Sequence, residues 1–131
     1  MKRMDVIEKA RELVGKTPYI FQGRDIRYGM DCIGMLIFVG ERLGCEIKDC
    51  MPYGDLRDKL KLDSFLKDNF KKTSFIKMGS VIVIELNHGF HLAIRSGKGI
   101  IHSSKTYIIE SGLPPTWVTK IQSVWDFRDI K

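Results

Sequence analysis

Three side chains in this sequence have the chemistry of a covalent catalyst: the thiol of Cys32 and the imidazoles of His91 and His102. Cys32 follows Asp31 at the predicted start of an apolar helix over residues 31–43. There a thiol lies beside unpaired backbone N–H groups and the positive end of the helix dipole, and both favour the nucleophilic thiolate. A free cysteine is usually a small buried apolar residue, so position alone leaves both interpretations open.

The two histidines are predicted to meet on one face of a β-hairpin. Gly97-Lys98 has the form of a two-residue turn, and the resulting register places Ala93 opposite His102. His91 and His102 then become diagonal neighbours, about 7–8 Å apart at the backbone, with only the small Ala93 beside them. The opposite face is apolar and is predicted to be core: Leu92, Ile94 and Ile101.

A thiolate, an imidazole base and a group that orients the imidazole make up a cysteine nucleophile triad. In this arrangement Cys32 attacks a carbonyl carbon, His91 moves the thiol proton to the leaving amine, and His102 orients the ring of His91. The backbone N–H of Cys32 would stabilise the oxyanion. His88 competes as the base, but it lies in a turn-like segment, so His91 is preferred.

The periodicity of apolar residues predicts helices first and strands second. Helical spacing is found in three segments: 5–14, 31–43 and 55–70. Short strand-like segments follow: 80–86, 90–96, 99–104, 107–109 and 123–127. Residues 16–30 and Pro114-Pro115 are predicted to be irregular connections. In the third helix Leu56, Leu60, Phe65 and Leu66 are expected to face inward, and Gly34 and Gly40 of the second are expected to serve close packing. This order predicts an α+β fold, with N-terminal helices packed on an antiparallel sheet.

Length and composition are those of one soluble globular domain. The chain has 131 residues, 44% hydrophobic and 29% charged, so we expect a single domain over residues 1–131. The formal net charge of +6 is spread along the chain and favours an anionic partner only weakly. The odd count of three cysteines argues against a disulfide framework.

The N-terminal segment does not predict a secretory leader, because its basic start is followed by Asp5 and Glu8 rather than by an apolar stretch. The longest apolar run, residues 33–39, is interrupted by Gly34 and is too short to span a membrane. We therefore expect synthesis in the cytoplasm, no membrane insertion, and any export by a route that needs no cleaved leader.

In these residues and their order the chain resembles the NlpC/P60 family of cysteine peptidases. The matching segments cover most of the chain: 10–15, Pro18-Tyr19, Gly23, Gly29, Asp31-Cys32-Ile33-Gly34, 79–84, 91–94 and 100–104. The Asp-Cys-x-Gly element is moderately specific by itself. Followed by both histidine strands at the expected spacing, it makes the resemblance strong.

The resemblance implies a papain-like α+β fold without a metal or other cofactor. It implies a thiol protease that hydrolyses amide bonds in the peptide stems of bacterial cell-wall peptidoglycan. Cys32 matches the nucleophile, His91 the base and His102 the third, polar member of the triad. Tyr19 matches the family tyrosine before the cysteine, and with Asp31 it is expected on the oxyanion or substrate side.

Two positions depart from the family pattern. Ile33 follows the nucleophile where the family usually has serine, and Ser80 follows Gly79 where it usually has aspartate. The branched apolar Ile33 and the stretch 117–127 are similar to the phage-tail and gene-transfer-particle branch of the family. This similarity implies phage tail proteins as partners and a virion as the carrier.

Three other interpretations stay open on the sequence. A zinc site would use Cys32, Cys45, Cys50 and one histidine, but there is no second close pair of ligands. The same triad could catalyse another acyl transfer or a deamidation. Nucleic-acid binding would use aromatic side chains beside arginines: Tyr19, Phe21, Tyr28, Arg24 and Arg27. No binding motif accompanies them, so we do not expect nucleic acid as a partner.

Overall fold

The structure, a computed structural model, describes residues 1–54, 59–87 and 89–131. Its helices are α1 (Arg3–Arg11), α2 (Cys32–Arg42), α3 (Lys59–Asn69) and α4 (Pro115–Val118). Its strands are β1 (Arg24–Asp25), β2 (Gly29–Met30), β3 (Phe70–Thr73), β4 (Val81–Leu86), β5 (Gly89–Ser96), β6 (Gly99–Ser103), β7 (Ile108–Ser111) and β8 (Ile121–Phe127). In these described ranges no helix combines the length and apolarity needed to cross a membrane.

The predicted α+β architecture is confirmed. Six strands form one antiparallel sheet in the order β3-β8-β4-β5-β6-β7, and β1 and β2 form a separate small hairpin. Strands β4 to β7 are consecutive neighbours and make up the predicted meander. β8 departs from it, because it returns across the sheet to lie between β3 and β4.

Helices α1 and α2 cover one face of the sheet and form the main core with it. α2 is apolar on nearly every side because it packs against α1 and also against β5 and β6. The buried residues that meet in this core include Val6, Ile7, Ala10, Met35, Leu36, Val39, Leu92, Ile94 and Ile101. Residues of β5 and β6 that alternate with these face the other side, where Ala93 and Ile100 belong to a smaller cluster.

The third helix differs from its prediction. It is described from Lys59 onward, and residues 55–58 of the predicted segment lie outside the described residues. Leu60, expected to face inward, is 81% exposed, so that prediction is wrong. Phe65 and Leu66 are buried, as predicted. With Leu62 and Asn69 they form a stripe that repeats at intervals of three and four residues, as one helix face does.

Three further segments hold structure that the sequence pattern did not predict. Residues 70–73 pair with β8 as strand β3 instead of ending the third helix, and the Phe70 ring packs 4.9 Å from that of Phe127. The predicted loop over 16–30 carries the β1–β2 hairpin. The proline pair is followed by α4, a single helical turn that starts at Pro115.

Gly34 lies where α2 comes closest to the loop before it. A Cβ at this position would be 2.5 Å from the carbonyl oxygen of Gly23, and one at Gly40 would be 2.5 Å from Cγ1 of Ile47. A backbone oxygen cannot move aside as the end of a side chain can. The predicted close packing is therefore confirmed, and it is strictest at Gly34.

We predict that Gly34→Ala lowers the free energy of unfolding by about 1–2 kcal/mol. Overpacking costs roughly 1–3 kcal/mol, and a contact this short belongs in the upper part of that range. The cost exceeds the roughly 1 kcal/mol by which alanine stabilises a helix relative to glycine. Urea unfolding measures the difference. Gly54→Ala is the control, since its new Cβ would meet nothing within 4 Å. Equal stability of Gly34→Ala and wild type would contradict this account.

Candidate active site

Asp31 caps α2 and so fixes the position of Cys32. Its backbone is extended (φ −95°, ψ −171°), and its Oδ1 accepts a hydrogen bond from the N–H of Gly34 at 2.9 Å. Aspartate suits this position because its carboxylate satisfies an unpaired N–H and complements the helix dipole. Cys32 is therefore the first residue of α2, as the sequence predicts.

The Asp31 carboxylate also connects two loops to the start of α2: the one that contains residues 22–24 and the one that contains residues 49–53. It is 4% exposed, and a buried charge is costly unless it is paired. Nη1 of Arg24 lies 3.1 Å from Oδ1, while Oδ2 accepts hydrogen bonds from the N–H of Gln22 (2.9 Å) and from the hydroxyl of Tyr53. Arg24 makes a second, bidentate ion pair with Asp49, at 2.9 and 3.1 Å. Both loops are thereby held around the helix start.

The Cys32 thiol is 4% exposed, and its surroundings do not favour the thiolate. Burial, and then the negative charge of Asp31, raise the pKa of Cys32 to about 12, although backbone N–H groups nearby act in the opposite direction. The N–H groups at the helix start therefore act in the predicted direction, but the net effect of the surroundings is to favour the protonated thiol. The desolvation of a buried anion outweighs the N–H groups and the helix dipole. With a pKa this high, the sulfur is protonated at neutral pH.

His91 and His102 meet as the hairpin register predicts. β5 and β6 pair Ala93 with His102 across the predicted two-residue turn. Nε2 of His91 lies 2.7 Å from Nδ1 of His102, which is a hydrogen-bond distance. The two rings are nearly perpendicular, at 89°. Because Nε2 of His91 faces His102, Nδ1 is the nitrogen through which His91 can exchange a proton with another group.

Cys32 reaches β5 beside His91. The pairing of β5 with β6 ends at Ala93 and His102, and the backbone N–H of the preceding residue, Leu92, is close enough to the Cys32 thiol to act toward a lower pKa. The thiol approaches from the α2 side of the sheet, whereas the imidazoles belong to the other side. The thiol and the imidazoles therefore lie near the same part of β5, its N-terminal half, where β5 is no longer paired with β6.

A cleft of about 420 Å³ opens over the histidines. Its lining includes both imidazoles, together with Tyr19, Phe90, Ser103, Lys105 and Trp117. The Trp117 ring lies edge-on to both histidines, with centroids 5.4 Å from His91 and 5.7 Å from His102. Burial, followed by the nearby Asp31 carboxylate and then the ionisable Cys32 thiol, raises the pKa of Tyr19. Tyr19 therefore links the cleft to the start of α2.

In the part of the chain that it describes, the structure does not bring together the residues that a zinc site would use, and it gives Arg24 another role than nucleic-acid contact. Within the described ranges, no three His, Cys, Asp or Glu side chains are grouped so that they could hold a metal ion. Cys32, Cys45 and Cys50 are all free thiols. Arg24, which was considered for nucleic-acid contact, is held by two carboxylates instead. His88, the competing base, lies outside the described residues.

Several residues of this site were not found from the sequence in the roles they have here. Tyr53 and Arg24 support the carboxylate of Asp31, and Trp117 covers the histidines. Ser111 places its Oγ 3.1 Å from Nε2 of His102. The tandem prolines were a signal for the rigid turn before Trp117. No sequence signal placed Ser111 beside His102, because the connection over residues 104–107 is too long to fix the register between β6 and β7.

The fold resembles that of a solved structure. A Staphylococcus aureus (subsp. aureus Mu50) protein, described as similar to a lipoprotein of the NLP/P60 family, matches 96% of this chain with a TM-score of 0.67 and 15% sequence identity. The chain spans 41% of that protein's length. No protein-family model and no curated protein sequence matches the chain. The likeness shows that the chain has the α+β, papain-like fold of that NLP/P60 protein.

We predict that wild-type stability falls on acidification more steeply than that of His102→Gln. Burial lowers the pKa of His102 from its ordinary 6.5, so the unfolded chain binds this proton more readily than the folded one. The stabilising contribution is complete above the ordinary pKa and is lost as pH falls toward the folded pKa. Urea unfolding between about pH 7.5 and pH 5 brackets this window. The same pH dependence in both proteins would contradict the prediction.

Proposed function

We propose that this chain is a cysteine peptidase that hydrolyses amide bonds in the peptide stems of bacterial cell-wall peptidoglycan. In this proposal Cys32 is the nucleophile, His91 the general base and His102 the residue that orients it. The observation that carries the proposal is the 2.7 Å distance between Nε2 of His91 and Nδ1 of His102, beside a cysteine that begins a helix. Cysteine hydrolases activate sulfur with such an oriented imidazole.

The high pKa of the Cys32 thiol defines the task of His91. A thiol with a pKa of about 12 stays protonated at neutral pH, so attack on a carbonyl carbon requires transfer of its proton to Nδ1 of His91. The backbone N–H of Cys32 then stabilises the oxyanion. Protonated His91 gives its proton to the leaving amine, and water hydrolyses the thioester and restores the thiol.

The choice of substrate rests on the resemblance and on the lining of the cleft. The segments around Cys32, His91 and His102 resemble the NlpC/P60 family, and the structural neighbour bears the name of that family. The cleft combines aromatic surface with a cation, Lys105. Peptide stems carry methyl groups and carboxylates, which such a lining complements.

Purified muropeptides incubated with the wild-type chain are expected to give new fragments in mass spectra, and Cys32→Ala is expected to give none. His91→Ala should slow cleavage by about 100- to 10,000-fold, the range that general base catalysis contributes. Cys45→Ala, which removes a different free thiol, is the matched control and should cleave at the wild-type rate.

Two outcomes would contradict the proposal in different ways. Fragments that persist in Cys32→Ala would exclude Cys32 as the nucleophile. If the wild type cleaves no muropeptide but an activated ester acylates Cys32, the triad catalyses a different acyl transfer, and the proposed substrate is wrong.

We also propose that a phage tail carries the chain to the cell wall. Support comes from Ile33 and the stretch 117–127, which resemble the phage-tail branch of the family. Virions purified after prophage induction in the source organism should contain the chain when analysed by mass spectrometry. Detection of the chain in the cell lysate but not in the virions would refute this delivery route.

A further inference from the structure

Ser111 extends the pair of histidines by one more hydrogen bond. Its Oγ lies 3.1 Å from Nε2 of His102 and 3.4 Å from the carbonyl oxygen of Gly112. A carbonyl oxygen only accepts, so both hydrogen bonds form at once only if Ser111 donates its hydroxyl proton to Gly112 and accepts from His102. The lone pairs of Ser111 then face His102, and only a protonated Nε2 forms a hydrogen bond with them.

We propose that Ser111 is a positioning residue that fixes the tautomers of both histidines and so makes His91 a base at Nδ1. With the proton of His102 on Nε2, its Nδ1 carries a lone pair. At 2.7 Å that lone pair accepts the Nε2–H of His91. The neutral His91 ring therefore has its own lone pair on Nδ1. This inference depends on the proposed function only in assigning the Cys32 thiol as the proton donor.

The opposite direction of the same hydrogen bonds would give the wrong base. If Ser111 donated to Nε2 of His102, the proton of His102 would lie on Nδ1. His91 would then accept at Nε2 and carry its own proton on Nδ1, where it could not take the thiol proton. In serine proteases, loss of the carboxylate that sets the histidine tautomer lowers the rate by about 10⁴-fold. The orientation of one serine hydroxyl thus decides the chemistry at His91.

The surroundings of Ser111 and His102 suit this role. Ile100 pairs with Ser111 across β6 and β7, which places Ser111 diagonally across from His102 on the same face. The Trp117 ring lies against both imidazoles. Burial lowers the pKa of His102, which favours the neutral ring, the form in which a hydrogen-bond partner selects the tautomer.

The test is ¹⁵N NMR of the full chain at about pH 8, where an ordinary histidine is neutral. Two-bond ¹H–¹⁵N correlations distinguish protonated from unprotonated ring nitrogens. In the wild type, His91 and His102 should both be protonated at Nε2 and unprotonated at Nδ1. Ser111→Ala should give a mixture of tautomers. Ser111→Thr should restore the wild-type pattern, because threonine keeps the hydroxyl and suits a strand.

Ser123→Ala is the matched control. Ser123 also accepts a ring N–H, from Nε1 of Trp125 at 2.9 Å, in another strand of the same sheet. Alkylation of Cys32 by iodoacetamide at neutral pH, which needs no peptidoglycan, provides a second readout. It should slow about tenfold in Ser111→Ala, the upper end of what one neutral hydrogen bond controls. Ser111→Thr and Ser123→Ala should react at the wild-type rate.

A wild-type His102 protonated on Nδ1, or tautomers that do not change in Ser111→Ala, would overturn the inference. So would an equal loss of alkylation rate in Ser123→Ala. A wild type that shows the expected tautomers but cleaves no muropeptide would refute the proposed substrate and support this inference independently.

Discussion

The Asp31 carboxylate is buried at the start of α2 and accepts hydrogen bonds from three segments of the chain, through Gln22, Gly34 and Tyr53. Burial of a charge is costly unless the charge is paired and its oxygens are hydrogen-bonded, and Arg24 supplies the pairing. Because the same carboxylate caps α2, one set of contacts both stabilises the buried charge and positions Cys32. The close approach of Gly23 to Gly34 lies within this set, so the helix and the loop before it are held as one unit.

This arrangement has a consequence for the thiol. The carboxylate that positions Cys32 also acts with burial to raise the pKa of that residue. The helix start therefore supplies geometry and N–H groups for an oxyanion, but it does not supply a preformed thiolate. In the proposed mechanism the thiol proton passes to an imidazole, and the sheet carries two imidazoles at the same end of β5. Positioning and activation of the sulfur thus come from different halves of the fold.

The histidine pair depends on a turn of two residues. A turn at Gly97-Lys98 permits one register between β5 and β6, and that register brings His91 and His102 to a hydrogen bond. The next connection, between β6 and β7, is longer, and it places Ser111 at the far nitrogen of His102. The direction that we propose for the hydrogen bonds along Gly112, Ser111, His102 and His91 is the one in which Ser111 donates to a carbonyl group and accepts from His102.

Local patterns were enough to determine the α+β class, the start of α2 at Cys32 and the meeting of the two histidines, because capping, apolar periodicity and a two-residue turn act within a few residues of each other. The outward position of Leu60 in α3, strand β3 and the return of β8 were not predictable, since they depend on contacts between segments far apart in the chain. The pKa of Cys32 also depends on contacts between distant segments. The sequence shows a helix N-terminus beside the sulfur, whereas the tertiary structure decides how deeply the sulfur is buried, and desolvation is the larger of the two effects.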